Sequence, residues 1–177
     1  MNDAAPEFSR IVRLDAIGRM AWPETIEADA AEREALARRF GFVSLDALSA
    51  RYSMTREGKA VIATGRIEAR LAQPCIATGE PVAEKISEDF AIRFIPEEEE
   101  NAVEPGEELE LDAGECDTLP YSDGRIDMGE AIAETLALGT NPYPRSPGAD
   151  AWLRDAGVLT EEQAGPFAAL AALQKKK

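Results

Sequence analysis

The 177 residues carry 34 acids against 19 lysines and arginines and no histidine, which removes Ser-His-Asp and Cys-His catalysis and every histidine-containing zinc site. No run approaches the roughly 18 apolar residues of a membrane helix, and the first ten residues lack the basic-then-apolar order of a secretion signal, so the expected compartment is the cytoplasm. Two cysteines, Cys75 and Cys116, are too few for a disulfide framework, and a 45 % hydrophobic content suits one domain spanning 1–177.

The chain opens on "FSRIVRLDAI", where Val12 and Leu14 flank Arg13 in the alternation of a strand. "WPETIEAD" reads as the lead into a helix that Asp29 caps, with Glu32 three residues on as its capping-box partner. Leu36, Ala37 and Phe40 form the helix's apolar stripe, Glu34 and Arg38 are a favourable pair, and Gly41 is the natural stop.

Three strand signals follow. Leu48, Ala50, Tyr52 and Met54 alternate with Ser49, Arg51 and Ser53, and Gly58 marks a turn. Val61, Ala63, Ile67, Ala69 and Leu71 alternate with Thr64, Arg66, Glu68 and Arg70, with Gly65 suggesting a bulge or a close approach. Val82, Ile86, Phe90, Ile92 and Phe94 share the face of a third strand. Such alternation predicts a central antiparallel β-sheet with one wet face, either open or barrel-like, and helices at its flanks: an α+β fold.

Residues 97–117 hold 11 acids and no base, starting at Glu97, Glu98, Glu99 and Glu100, which leaves 23 acids against 19 bases elsewhere. The run reads as a solvated, flexible segment or as an acidic arm for a basic partner. Beyond it, Asp123-Gly124 is a turn signal, and Asp127 caps a helix with Glu130 at the third position. Met128, Ile132 and Leu136 make that helix's stripe, and Gly139 ends it. A last helix is expected from Pro166, with Phe167, Leu170 and Leu173 on one face and three closing lysines.

Candidate chemistry is sparse. Cys75 and Thr78 sit in the turn "PCIATGEP", where a second cysteine at position 78 would make half of a zinc site. Threonine is a poor zinc ligand, so Cys75 reads as a small turn residue and no metal or cofactor is expected. Arg51, Arg66 and Arg70 fall on wet strand faces, either as solvated residues with local ion pairs or as a surface for phosphates or an acidic partner. Asp123, Asp127 and Glu130 suit a turn and a helix start better than a catalytic centre. After that helix, "NPYPR" is a stiff exit that either packs Tyr143 or presents Tyr143 and Arg145 to a partner.

Three blocks, "QPCIATGEPV", "GRIDMGEAIAETLALGTNPYPR" and "GPFAALAALQKKK", resemble the YceD family, the large ribosomal RNA subunit accumulation proteins. The helix "EADAAEREALARRFG" resembles its alphaproteobacterial branch. The resemblance implies a cytoplasmic, non-enzymatic factor for accumulation, processing or assembly of large-subunit (23S) rRNA, with rRNA or a ribosomal or assembly protein as partner and no small-molecule substrate. The alternative is an acidic escort for a basic ribosomal protein. Many relatives carry Cys-x-x-Cys at the turn; Thr78 departs from that pattern, and zinc is not carried over.

Overall fold

The computed structural model describes residues 6–100 and 117–158. In chain order the elements are β1 (Ile11–Arg13), β2 (Glu24–Glu27), α1 (Ala30–Phe40), β3 (Ser44–Glu57), β4 (Ala60–Pro74) and β5 (Pro81–Pro96). The single turn α2 (Glu97–Glu100), β6 (Asp117–Tyr121), β7 (Arg125–Asp127), α3 (Met128–Gly139) and α4 (Ala149–Asp155) complete them. They divide between two compact units: Met1–Gln73 with Ala83–Asn141, and Pro74–Val82 with Pro142–Lys177.

The first unit is the α+β body. Its sheet runs in the order β2-β3-β4-β5-β6, and β1 pairs separately with β7. β2 and β3 are antiparallel, as are β3 and β4, from Ser44 opposite Ala72 to Glu57 opposite Ala60. The sheet is open, with β2 and β6 as its edges, so barrel-like closure is corrected. β6 is an added edge strand that the alternation does not predict, and it lies parallel to β5, Ile92 beside Asp117 and Phe94 beside Leu119. A parallel neighbour requires a long connection, and the chain between Pro96 and Asp117 supplies it.

Alternation decides what is buried. Leu48, Ala50, Tyr52 and Met54 of β3, Val61, Ala63, Ile67, Ala69 and Leu71 of β4, and Ile86, Ile92 and Phe94 of β5 all face the core. Leu36 of α1 and Met128, Ile132 and Leu136 of α3 cover them, each at 0 % exposure. Each buried Val, Leu, Ile, Phe or Met side chain among them contributes roughly 1.5–3 kcal/mol relative to an exposed one, and each alanine about 1 kcal/mol or less.

Local chemistry fixes the helix ends. Asp29 accepts from the Glu32 amide while the Glu32 carboxylate accepts from the Asp29 amide, the full capping box, and Gly41 closes α1 in the left-handed region. Asp123 and Gly124, both at positive φ, turn β6 into β7. Glu130 differs from its expected capping-box role. Its carboxylate accepts from both terminal nitrogens of Arg39, at 3.0 and 2.7 Å, because a forked charge-assisted pair outweighs one bond to an amide.

Two glycines mark close approaches. A Cβ at Gly65 would lie 2.7 Å from the Tyr52 Cβ, so Gly65 marks strand contact, and the register shift falls at Leu45/Ala47 instead. A Cβ at Gly129 would lie 2.8 Å from the Phe8 carbonyl carbon, which brings the segment before β1 onto the start of α3.

The second unit holds the turn after β4, the proline-rich exit of α3 and α4. The turn closes by hydrogen bonds from the Cys75 amide to the Glu80 carbonyl at 2.8 Å and from the Gly79 amide to the Cys75 carbonyl at 2.9 Å. The Ile76 amide donates to the Pro144 carbonyl at 2.9 Å, stitching the exit to the turn. The helix expected from Pro166 lies outside the described residues, as do residues 101–116 of the acidic segment.

Candidate functional site

The wet face of the sheet brings the three strand arginines together. Arg51 lies directly across from Arg66, Ser49 across from Glu68 and Ala47 across from Arg70. Two residues along a strand advance about 6.8 Å, so Arg66 and Arg70 stand roughly 13 Å apart. Like charges directly opposed are unfavourable in a sheet, and only one of the opposed pair is neutralised: Arg66 donates to Asp89 at 2.9 Å and to the Ser87 hydroxyl at 3.2 Å. The side chains of Arg51 and Arg70 have no hydrogen bond or ion pair among the described residues.

β5 adds two cations. Ile92 and Phe94 point inward, which turns Arg93 outward, and Lys85 faces out beside Ile86. Two hollows lie on this face. One, of about 410 Å³, is lined by Thr25, Ser49, Arg51, Arg66 and Glu68; the other, of about 320 Å³, by Ser49, Glu68, Arg70, Lys85 and Ser87. Shared Ser49 and Glu68 make them one shallow groove. Its lining mixes Arg51, Arg66, Arg70 and Lys85 with hydroxyls and small apolar groups, and Glu68 belongs to both hollows. Lys85 was legible from the parity of β5, but only strand order shows that it meets Arg70.

Cys75 sits elsewhere, in the second unit, and is 3 % exposed. Its sulfur accepts from the Ser146 amide at 3.2 Å and the Thr78 amide at 3.4 Å. Hydrogen bonding from Thr78 first, and from Ser146 with it, lowers the thiol to about 6. The Thr78 hydroxyl meets that of Ser146 at 3.2 Å, so position 78 serves a hydrogen-bond network. Ser146, brought in from 71 residues away, carries no sequence signal.

On the exit, Pro144 and Ser146 are buried while Tyr143 is 72 % exposed. Arg145 pairs with Asp150 of α4 at 3.0 Å. In the acidic segment, Glu97 and Glu98 are exposed in α2, which also includes Glu99 and Glu100. Cys116 lies outside the described residues.

Asp123, Asp127, Glu130 and Glu134 line one hollow of about 440 Å³, and the first three are already engaged by neighbouring groups. Asp127 accepts from the Ser9 hydroxyl at 2.6 Å and the amides of Arg10, Gly129 and Glu130 at 2.7, 3.0 and 3.3 Å. Glu130 is held by Arg39, and Asp123 reaches Arg125 at 3.5 Å. Among the described residues no group of three or more acids or thiols is placed to hold a metal ion, and no helix is long and apolar enough to cross a membrane.

No curated protein and no solved structure matches the chain significantly. A family model does: it is described as Large ribosomal RNA subunit accumulation protein YceD, and it matches residues 63–174, from near the start of β4 past α4. With more than half of its length matched, the chain belongs to the YceD family.

Proposed function

We propose that this protein supports the accumulation of large-subunit ribosomal RNA in the cytoplasm by binding that RNA, without catalysing a reaction on it. The family's description supplies the process. The wet sheet face supplies the means, and the observation that carries the reading is the gathering of Arg51, Arg66, Arg70 and Lys85 on it in a chain of net charge −15. Three of those four lie inside the family-matched residues. Arginine forks and lysine suit phosphate oxygens. Asp127 and Glu130 are engaged in capping and ion pairing, which supports a structural role for these two carboxylates.

Overall acidity does not oppose this. At 0.15 M salt the Debye length is about 8 Å, so acids beyond that distance are largely screened while contacts within the groove act locally. Deleting the gene is expected to lower mature large-subunit rRNA relative to small-subunit rRNA, measured on total RNA. An unchanged ratio would overturn the reading.

A further inference from the structure

We propose that the groove across the wet sheet face takes the phosphate backbone of double-helical RNA, with Arg51, Arg70 and Lys85 as its phosphate contacts. This rests on the RNA-binding reading above and names the form of RNA bound. Single-stranded RNA is held chiefly by stacking its bases on aromatic side chains, whereas duplex RNA is held by shape and by contacts to phosphates and 2′-hydroxyls. The outward positions of β3, β4 and β5 carry no aromatic side chain: they read Ser49, Arg51, Ser53 and Thr55, then Ile62, Thr64, Arg66, Glu68 and Arg70, then Lys85, Ser87, Asp89, Ala91 and Arg93. What they offer is five cations against two acids, Glu68 and Asp89, spaced mostly by hydroxyls.

Charge within the groove is graded. Arg66 is committed to Asp89 and Ser87, so it shapes the wall and contributes less to an incoming phosphate. Arg51, Arg70 and Lys85 have no such partner among the described residues. Thr25 and Ser49 put hydroxyls beside the arginines, placed to meet 2′-hydroxyl and phosphate oxygens. Glu68, where the two hollows join, opposes an anion and holds the affinity down.

The test uses the full chain and two probes, a 20-base-pair RNA hairpin stem and a 20-nucleotide oligouridine, titrated from 50 to 200 mM salt. Three phosphate contacts give a log–log slope of about −2.7 on the duplex, an affinity loss of roughly 40-fold over that range. Arg51→Gln, Arg70→Gln and Lys85→Gln should each reduce the slope by about one, and together they should remove most of it. Glu68→Gln should bind the duplex several-fold more tightly. Arg38→Gln, on α1 and outside the groove, should change neither quantity. All five positions are exposed, and far-UV circular dichroism checks that each variant is folded.

Oligouridine bound as tightly as the stem would overturn the duplex assignment. Stem binding with wild-type affinity and slope in the triple variant would overturn the groove while leaving RNA binding intact. No binding to either probe at 50 mM salt would overturn both.

Discussion

Replacing Asp127 by alanine tests whether the carboxylate at the head of α3 is structural. Capping alone would put the loss near 1 kcal/mol. The structure raises the figure, because the same carboxylate also accepts from the Ser9 hydroxyl and the Arg10 amide, and so ties the segment before β1 to the helix start. That segment carries Phe8, at 0 % exposure, over Gly129. Charge-assisted bonds to a carboxylate are stronger than neutral ones, and each part-buried donor left without a partner adds about 1 kcal/mol. Asp127→Ala should therefore cost about 3 kcal/mol, or a Tm decrease of roughly 6–12 °C for a chain of this size. Asp127→Asn, which keeps one acceptor oxygen, should fall between. Urea and thermal unfolding measure both. A loss below about 1 kcal/mol for Asp127→Ala would show that the Ser9 and Arg10 contacts contribute nothing, and the reasoning would fail.

Two titrations follow from neighbouring sites. Burial first, and the adjacent Glu130 charge second, raise the Glu134 carboxyl above its ordinary 4.5. An acid raised in the folded state costs stability as pH climbs past its unfolded value, so Glu134→Gln should stabilise by about 0.5 kcal/mol at pH 7, within the usual range for surface changes. The difference from wild type should vanish near pH 3, and a destabilised variant at pH 7 would contradict this. Cys75 behaves oppositely: hydrogen bonds from Thr78 and Ser146 lower its thiol from 9.0 to about 6, so the thiolate stabilises the fold at high pH and that contribution is lost as pH falls through 6. In a Cys116→Ser background the ultraviolet absorbance of the thiolate should rise with a midpoint near 6, and a midpoint near 9 would refute the hydrogen-bonded account.

Much of the body was legible because its signals are local. Asp29, Glu32 and Gly41 define α1 within a dozen residues, and the period of two in β3 and β4 named the buried residues directly. What escaped depends on partners distant in sequence. β2 was read as a lead into α1, since "ETIE" has a single apolar residue, and only pairing with Ser49–Tyr52 of β3 makes it a strand. Glu130 has capping-box spacing, but Arg39 is 91 residues away and takes its carboxylate. The direction of β6 depends on where the chain re-enters after the acidic segment, which composition does not encode. α4 follows Pro142, Pro144, Pro147 and Gly148, residues that suit a loop, without a side-chain cap to announce it. At the candidate site the arginines were visible by parity. Their assembly into a groove with Lys85 required the strand order β3-β4-β5.

The most direct measurement is complementation of a deletion strain with the Arg51→Gln, Arg70→Gln, Lys85→Gln protein at wild-type abundance, reading the ratio of large- to small-subunit rRNA. With the groove as the RNA contact, the triple variant should leave the ratio as low as in the deletion strain, while Arg38→Gln restores it. Full restoration by the triple variant would contradict the account.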